Sequence, residues 1–374
     1  MKTLLLIPSV LKKGVEEAVA SDRHPVMDYY ALANGLSQRS GDSAEFLDYR
    51  FLDETTDPML RLLCRTAGKD AALAYAGFRR RHEYDAIFTN GENVGIPLAL
   101  LLKSTGRSVP HVTIGHRPST GKKRLFFQRF RAQERMDRIF LYATSQLKIA
   151  QEELGIDEKR LSLIAFHADT RFYRPMPNIP VNENQICSAG LEWRDYPTLI
   201  EAVRDMPDLS VKLAAASPWS KHRNETENRE LPSHVSARRY EYNELRELYA
   251  GSSFVVVPLY ENDFQAGVTT ILEAMAMGKA VIATQTTGQT DVIVDGENGL
   301  TVAPGDVTGW RDAIQRLRHD AALRERLGRN ARRWMEENAT LDLWVENITD
   351  ALRQSASSTN SVPSSLITKT ENSQ

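Results

Sequence analysis

Residues 265–278 read QAGVTTILEAMAMG and continue as KAVIAT through residue 284. The spacing of the apolar residues predicts a small-residue loop, a helix of about two and a half turns and then a strand. Gly278 is the expected residue after the helix, because only glycine takes the left-handed conformation there without a steric penalty.

A tight loop that feeds the start of a helix is a potential anion site. Its backbone N–H groups and the positive end of the helix dipole together attract an anion, most often a phosphate. Ala266, Gly267 and Val268 are the candidate donors of these N–H groups. Glu273 lies two turns into the apolar helix, where a carboxylate is costly unless it faces a cleft or a partner. The alternative is an ordinary buried helix whose glutamate faces outward.

The composition is that of a soluble protein of about two domains, with 374 residues, 41% of them apolar and 26% charged. The net charge of −2 argues against a general nucleic-acid binder. Cys64 and Cys187 stand apart from each other and from any Cys/His cluster, so no structural zinc site is predicted. The apolar run at residues 4–7 is too short for a signal peptide or a membrane span. These features predict a cytoplasmic protein.

Strands and helices alternate in the first half of the chain. Strands are predicted at residues 4–7, 85–89, 111–114, 138–142 and 161–166. Helices are predicted at residues 27–36, 59–63, 71–80, 95–103, 126–136 and 146–154, with a long loop over residues 12–25. Such alternation with short connections predicts a parallel sheet covered by helices on both faces.

Residues 174–184 contain three prolines and few apolar side chains, and are the best candidate for a linker. Beyond them the alternation restarts. Strands are predicted at residues 186–189, 210–216, 254–257, 280–284 and 300–302. Helices, besides the one at residues 265–278, are predicted at residues 196–203, 241–250, 307–318, 321–337 and 341–353.

The domain boundaries follow from this pattern. We predict an N-terminal domain over residues 1–174, a C-terminal domain over residues 185–338 and a C-terminal helix over residues 339–353 that could return to the N-terminal domain. Residues 354–374 are rich in Ser, Thr and Asn, and predict a disordered tail. Two α/β domains of similar size should leave a ligand-binding cleft between them, at the carboxyl ends of their strands.

Several motifs in the second half resemble the retaining glycosyltransferases of the GT-B fold, in particular the family-4 type. The segment ILEAMAMGKAVIA at residues 271–283 matches the hallmark helix and strand of that family. Segments in the family order are ADTRFYRP at 168–175, ELRELYAGSSFVVVP at 244–258, DVIVDGENGL at 291–300, VAPGD at 302–306 and LGRNAR at 327–332. The resemblance implies two Rossmann-like domains facing a cleft, with a nucleotide-sugar donor bound by the C-terminal domain.

The sequence departs from the family pattern at two positions. The first of the family's two glutamates falls on Gln265, which forms hydrogen bonds but carries no negative charge. Of the two cations that the family places after the first strand of the C-terminal domain, Arg194 matches one, and Leu191 stands in place of the other. The resemblance therefore supports donor binding more directly than it supports the usual chemistry.

The resemblance implies roles for individual residues in the donor site. Arg194 and the helix start would hold the diphosphate, and Glu273 would accept hydrogen bonds from the ribose. Gln265 and His116, which follows a predicted strand, would lie near the transferred sugar. The alternatives are a surface salt bridge of Arg194 with Glu192 or Asp195, and ordinary loop roles for Gln265 and His116.

The acceptor side is less well defined by the sequence. Asp28 and Glu92 are candidates to face the acceptor, and Asp169 fits the family pattern but could simply cap a turn. Residues 122–131, KKRLFFQRFR, form a basic amphipathic segment that could lie on an anionic membrane surface. We favour the alternative, in which its phenylalanines pack on the sheet and its charges are solvated.

The sequence thus predicts a retaining glycosyltransferase that needs no metal or cofactor and acts on an unidentified glycan, lipid-linked or small-molecule acceptor. By the resemblance, the departing phosphate deprotonates the attacking hydroxyl on the same face of the sugar. Two alternatives stay open. One is an epimerase or phosphorylase on the same fold, and the other is a nucleotide-binding protein without catalytic activity. The expected location is the cytoplasm, with peripheral contact at the inner face of the membrane as an option.

Overall fold

The computed structural model describes residues 1–11, 14–105, 109–215 and 231–360. The N-terminal half is built on six strands and eight helices among these residues. The strands are β1 (Lys2–Ile7), β2 (Ser43–Asp48), β3 (Ala86–Thr89), β4 (His111–Gly115), β5 (Arg138–Leu141) and β6 (Leu161–Leu163). The helices are α1 (Val15–Ala20), α2 (Asp28–Leu36), α3 (Tyr49–Glu54), α4 (Pro58–Thr66), α5 (Lys69–Arg80), α6 (Glu92–Lys103), α7 (Gly121–Gln128) and α8 (Thr144–Glu152).

The C-terminal half repeats this plan. Its strands are β7 (Asn182–Ala189), β8 (Ser210–Ala214), β9 (Val235–Ala237), β10 (Ser252–Val257), β11 (Val281–Thr284) and β12 (Leu300–Val302). Its helices are α9 (Tyr196–Val203), α10 (Tyr242–Gly251), α11 (Val268–Ala276), α12 (Val307–His319), α13 (Ala321–Asn338) and α14 (Leu341–Asn360).

Each half forms one parallel six-stranded sheet. The strand order is β2-β1-β3-β4-β5-β6 in the first sheet and β12-β11-β10-β7-β8-β9 in the second. Strand β1 shows why its sequence is a continuous apolar run. Leu4 and Leu6 pack into one hydrophobic cluster, whereas Leu5 and Ile7 pack into another on the opposite face. Both faces of the sheet are therefore covered, as expected for parallel strands, and the predicted α/β fold with two Rossmann-like domains is confirmed.

The end of α11 matches the prediction in detail. Gly278 has φ +70°, its N–H donates to the carbonyl of Met275 at 2.9 Å, and the N–H of Lys279 donates to the carbonyl of Ala274 at 3.0 Å. These two bonds form a Schellman motif, which ends the helix by satisfying its last carbonyl groups.

Several predicted elements were wrong or incomplete. The loop over residues 12–25 contains α1, and the edge strands β2 and β9 were missed. The helix predicted at residues 126–136 is α7 followed by a separate 3₁₀ turn, because Arg131 takes a left-handed conformation with φ +51°. The tail predicted to be disordered is helical as far as residue 360, and its remainder, like residue 216 of the predicted strand 210–216, lies outside the described residues.

Helix α14 packs on the N-terminal domain after the chain has passed through the C-terminal one. The crossing is fixed by two backbone hydrogen bonds, from Ala168 to the carbonyl of Ala339 at 3.2 Å and from Leu341 to the carbonyl of Ala168 at 3.0 Å. Trp344 is 1% exposed and packs edge-on against Phe88 of β3. The last helix thus connects the C-terminal domain back to the N-terminal one.

Candidate functional site

A cavity of about 750 Å³ lies between the carboxyl ends of the two sheets. This is the location and size range of small-molecule sites in open α/β folds. The N-terminal domain contributes His116, Tyr142, Ala143, Gln146 and Phe166 to its wall. The C-terminal domain contributes, among others, Arg194, Arg239, Tyr240, Phe264, Gln265, Gly267, Thr270 and Glu273.

Helix α11 begins at the cavity wall, as predicted, but the free N–H groups differ from those expected. The N–H of Ala266 donates to the carbonyl of Phe264 at 2.8 Å, so Ala266 does not offer it to a ligand. The N–H of Val268 makes a long 3.4 Å bond to the carbonyl of Gln265. Within the described part of the chain, the N–H groups of Gly267, Thr269 and Thr270 have no backbone acceptor. These three amides are the unsatisfied donors of a helix start.

Gly267 is required at this position for two reasons. Its φ of +76° lies in the left-handed region, and a Cβ atom built on it would meet Val257 Cγ1 at 2.9 Å and Arg194 Nη1 at 3.0 Å. A side chain would therefore displace the arginine that lies under the loop.

Arg194 is buried, with 7% exposure. Its guanidinium donates to the carbonyls of Ala189 at 2.8 Å and Glu192 at 3.0 Å, and to Thr270 Oγ1 at 3.0 Å. No carboxylate among the described residues forms a salt bridge with it, so the surface ion pair with Glu192 or Asp195 is not what the structure shows. Burial lowers the pKa of Arg194. The site therefore contains a buried cation that no carboxylate of the described residues contacts directly.

Glu273 lies about one to two turns along α11 from these amides, is 7% exposed and lines the same cavity. The hydroxyl of Tyr249 donates to its Oε2 at 2.9 Å. Burial raises the pKa of Glu273 to about 7, although Tyr249, Tyr173 and Arg194 all favour the charged form. Sequence reasoning missed Tyr249 and Thr270, because a tyrosine on α10 and a threonine in an apolar helix carry no signal of their own.

Gln265 stands on the loop before α11 and also lines the cavity. Its Nε2 makes a long 3.5 Å hydrogen bond to Asp291 Oδ2. Its Oε1 is buried and has no hydrogen-bond partner among the described residues. Asp291, which sequence reasoning also missed, is thus the nearest carboxylate partner of this side chain.

His116 faces the cavity from the end of β4, as the sequence predicted for its position. Its ring lies 5.5 Å from that of Tyr142, centroid to centroid. Desolvation by the surrounding protein lowers the pKa of His116, while the charges of Glu92 and Asp28 oppose that shift. The side chain is exposed to the cleft.

Glu92 does not face an acceptor. Its carboxylate is 2% exposed, accepts the N–H groups of His116 at 2.8 Å and Arg117 at 3.1 Å, and pairs with Lys123 at 2.6 Å. These charged partners hold its pKa below the usual range despite burial. The physical role of Glu92 is to fix the turn that presents His116.

Asp28 remains a candidate for the acceptor side. It starts α2, accepts the N–H of Tyr29 at 2.8 Å, and makes a 3.4 Å bond with Asn90 Nδ2. It is outside the cavity wall formed by the described residues, but its charge acts on His116. Asp169 instead caps a turn, since it accepts the N–H groups of Val26 at 2.9 Å and Arg171 at 3.0 Å.

Three polar contacts among the described residues join the domains beside the cavity. Arg117 forms a salt bridge with Asp263 across the cleft, and Gln146 Nε2 donates to the backbone carbonyl of Asp263 at 2.9 Å. The N–H of Thr144, at the start of α8, donates to Asp291 Oδ2 at 2.9 Å. The structure thus shows the cleft in a closed form.

The basic segment at residues 122–131 is largely neutralised. Lys123 pairs with Glu92, Arg124 with Glu153 at 2.8 Å, and Arg131 with Glu134 at 2.6 Å. Phe127 is buried, whereas Leu125 and Phe130 are exposed. Membrane contact by this segment stays a prediction.

The described residues contain no group of three or more His, Cys, Asp and Glu side chains that could hold a metal ion. None of the helices in the described ranges is long and apolar enough to cross a membrane.

The sequence of the C-terminal half matches a family model, described as glycosyl transferases group 1, over residues 169–334. This part of the chain is a glycosyl transferases group 1 domain. It contains α11, Arg194, Gln265 and Glu273, and the resemblance to glycosyltransferases of the GT-B fold is confirmed for it, whereas the family-4 type and retention stay predictions.

Curated relatives align with this chain over short segments. The capsular polysaccharide biosynthesis glycosyltransferase CapM of Staphylococcus aureus is 37% identical over 76 residues, 20% of this chain and 20% of CapM. A D-inositol 3-phosphate glycosyltransferase of Stackebrandtia nassauensis is 37% identical over 89 residues, 24% of this chain and 19% of that protein. The chain thus spans about a fifth of the length of these two relatives.

Solved structures match the whole fold at low sequence identity. Sucrose-phosphate synthase from Thermosynechococcus elongatus superposes with a TM-score of 0.73 at 16% identity, covering 96% of this chain and all of that one. The Anabaena protein HepE, solved in complex with UDP, gives a TM-score of 0.66 at 18% identity, covering 95% of this chain and all of HepE. The two-domain arrangement is therefore the GT-B architecture of glycosyltransferases.

Proposed function

We propose that this protein is a glycosyltransferase that transfers a sugar from a nucleotide-diphosphate sugar to an acceptor with retention of anomeric configuration. One observation carries the proposal. The buried cation of Arg194, which no carboxylate of the described residues contacts directly, and the free amides at the start of α11 meet at one cavity, with the Glu273 carboxylate about one and a half turns along the same helix. A diphosphate fits the cation and the amides, and the ribose hydroxyls of a nucleotide fit the carboxylate.

This arrangement would also lower the barrier to transfer. As the bond between the anomeric carbon and the phosphate oxygen breaks, the diphosphate gains negative charge, which Arg194 and the amides stabilise. An acceptor hydroxyl forms the new bond to the anomeric carbon from the same face. Its proton passes to the departing phosphate oxygen, so no protein nucleophile, metal or cofactor is required.

The acceptor would enter from the N-terminal side, where His116 lines the cavity and the charge of Asp28 acts on that imidazole. The salt bridge between Arg117 and Asp263 closes the domains over the donor. Closure excludes water, which would otherwise hydrolyse the donor. Glycan or glycoconjugate synthesis is the expected context, in keeping with the capsular polysaccharide enzyme among the relatives.

Thermal-shift titration with UDP, GDP, ADP and their sugars tests the donor site. One nucleoside diphosphate series should stabilise the protein, and EDTA should leave the shift unchanged. Absence of any shift would refute the donor assignment. Incubation of the stabilising donor with a panel of mono- and disaccharide acceptors, followed by proton NMR of the anomeric signals, then separates the candidates. Transfer with retention supports the proposal, whereas epimerised donor, dependence on inorganic phosphate or a donor that is neither transferred nor hydrolysed would each support one of the alternatives.

A further inference from the structure

Gln265, which lines the cavity, forms a hydrogen-bonded pair with Asp291. Gln265 stands where the motif resemblance expects a glutamate, and the structure places a carboxylate beside it on the loop between β11 and β12. The hydrogen bond from Gln265 Nε2 to Asp291 Oδ2 is 3.5 Å long. The negative charge that a glutamate at position 265 would carry is therefore supplied by Asp291, which lies one side chain further from the cavity than Gln265.

The chemistry of Asp291 fixes which end of the carboxamide faces it. An ionised carboxylate only accepts hydrogen bonds, so the NH₂ group of Gln265 must point toward Asp291. The Oε1 atom then points elsewhere, and it has no partner among the described residues. A buried carbonyl oxygen without a donor is costly, and a hydroxyl group of a ligand would satisfy it.

Asp291 is held in place by the other domain. The same Oδ2 accepts the N–H of Thr144 at 2.9 Å, and Thr144 is the first residue of α8, where the helix dipole favours an anion. Other charged or titratable side chains at this end of the cavity are His116 and Arg117 from the N-terminal domain, and Glu261 and Asp263 from the loop of Gln265. Of these, Arg117 and Asp263 neutralise each other in a salt bridge.

We propose that Asp291 supplies the negative charge of the donor-sugar subsite and that Gln265 relays it to the sugar. In this arrangement a sugar hydroxyl donates to Gln265 Oε1, and Gln265 Nε2 donates to Asp291. Consecutive hydrogen bonds polarise one another, so the acceptor oxygen becomes stronger than that of an isolated amide. The inference rests on the proposed function. It makes Gln265 a sugar-binding residue and Asp291 a positioning residue that acts through it.

The proposal requires one negative charge shared by the two positions, and four proteins test this requirement. The wild type carries it at residue 291. Asp291→Asn removes it, Gln265→Glu adds a second charge, and the double variant Gln265→Glu/Asp291→Asn moves the single charge to residue 265. The ratio of the Kd of the nucleoside diphosphate to the Kd of its sugar conjugate isolates the contribution of the sugar. The probes are UDP with UDP-glucose, GDP with GDP-mannose and ADP with ADP-glucose.

We expect the ratio to fall about tenfold in each single variant and to return to within about threefold of wild type in the double variant, because close charges couple strongly. Asp295→Asn is the matched control. Asp295 lies on the same loop, accepts the N–H of Thr301 at 2.7 Å, and its loss should leave the ratio unchanged. An unchanged Kd for the nucleoside diphosphate, together with circular dichroism, shows that each variant is folded.

Two results would overturn the inference. One is an unchanged ratio in Asp291→Asn, and the other is a double variant in which the losses of the single variants multiply. If Asp291→Asn does not fold, Gln265→Glu alone tests the inference. An unchanged Kd ratio in Gln265→Glu would mean that the sugar subsite tolerates a second negative charge, which contradicts the proposal. Failure of every nucleoside diphosphate to bind the wild type is a different outcome, which refutes the proposed function itself.

Discussion

The hydroxyl of Tyr249 donates a 2.9 Å hydrogen bond to Oε2 of Glu273, inside the apolar layer between α10 and α11. Burial nevertheless raises the pKa of Glu273 to about 7, from an ordinary value of 4.5. The carboxylate is thus close to half-protonated at neutral pH. A group in this state affects both the stability of the fold and the binding of a ligand.

The first prediction concerns stability. The pKa of Glu273 is higher in the folded protein than in the unfolded chain, so its contribution to the free energy of unfolding is fully present below pH about 4.5. That contribution is lost as the pH rises through about 7. At pH 8, Glu273→Gln should be more stable than wild type by up to about 3 kcal/mol, and at pH 4.5 the gain should vanish. Urea denaturation at both pH values measures this difference in the free energy of unfolding. Glu201→Gln, which replaces an exposed glutamate, is the control and should show no gain in stability.

The second prediction concerns the nucleotide. Ribose hydroxyls donate hydrogen bonds, so they bind the ionised form of Glu273 better than the protonated form. The affinity for a nucleoside diphosphate should rise as the pH increases from 6 to 8 in the wild type. In Glu273→Gln it should be lower, and its remaining pH dependence should be that of the phosphate alone. Calorimetric titrations of both proteins give the comparison, and parallel pH profiles would count against a ribose role.

The third prediction uses two glycines with similar backbone conformations. Gly267 and Gly305 have φ of +76° and +71°, but a Cβ atom would clash with Arg194 and Val257 only at Gly267 and would meet nothing at Gly305. Gly305→Ala should lose about 1 kcal/mol of stability through backbone strain alone. Gly267→Ala should lose more, and should bind the nucleoside diphosphate at least about tenfold more weakly. Equal binding by the two variants would show that the loop does not hold the phosphates.

The sequence predicted the parts of the fold whose signals are local. A run of apolar residues was enough for β1, and the position of Gly278 was enough for the end of α11. The edge strand β2 was missed because it pairs with one neighbour only and is half-exposed, which permits Ser43 and Glu45 in it. The helix predicted at residues 126–136 is interrupted because the backbone of Arg131 takes a left-handed conformation. No local residue preference predicts that conformation for an arginine.

The position of a site residue was predictable where the family motif fixes it, as at Glu273, which lines the cavity; the role of Glu273 stays a prediction. The site was not predictable where the role of a residue depends on contacts between distant segments. Glu92 was taken for an acceptor residue, since a carboxylate after a strand commonly faces a cleft, but Lys123 and two backbone amides from the next loop enclose it. Asp291 becomes relevant only because folding places it against Gln265 and Thr144, which lie in different domains.

The fourth prediction concerns Arg194. Arg194→Met removes the buried charge while keeping much of the volume of the side chain. The affinity for a nucleoside diphosphate should fall by at least about tenfold, whereas the affinity for the nucleoside should change little, because only the phosphates face the cation. Titrations of nucleoside, monophosphate and diphosphate measure the dependence on phosphate number. Arg204→Met, which removes an exposed arginine paired with Glu201, is the control. An equal loss of affinity for nucleoside and for nucleoside diphosphate in Arg194→Met would refute the phosphate-binding role of Arg194.

The last prediction concerns closure of the cleft. The side chains of Arg117 and Asp263 are 34% and 43% exposed, so their salt bridge should contribute at most about 1 kcal/mol to the free energy of unfolding. A contribution of that size is nevertheless enough to shift an equilibrium between open and closed domains about fivefold. Arg117→Ala should therefore unfold at nearly the wild-type temperature, but should have a larger radius of gyration in small-angle scattering without donor.

The charge-reversed pair provides the control for this prediction. Arg117→Asp and Asp263→Arg should each open the cleft through repulsion between like charges, and the double variant should restore the compact form. Arg117 also stacks on Phe264, 4.9 Å from the ring centroid, and that contact is lost with the arginine. The double variant is therefore expected to recover most of the compaction rather than all of it. If the three proteins scatter identically to wild type, closure depends on the contacts of Thr144 and Gln146 instead, and the salt bridge has no part in it.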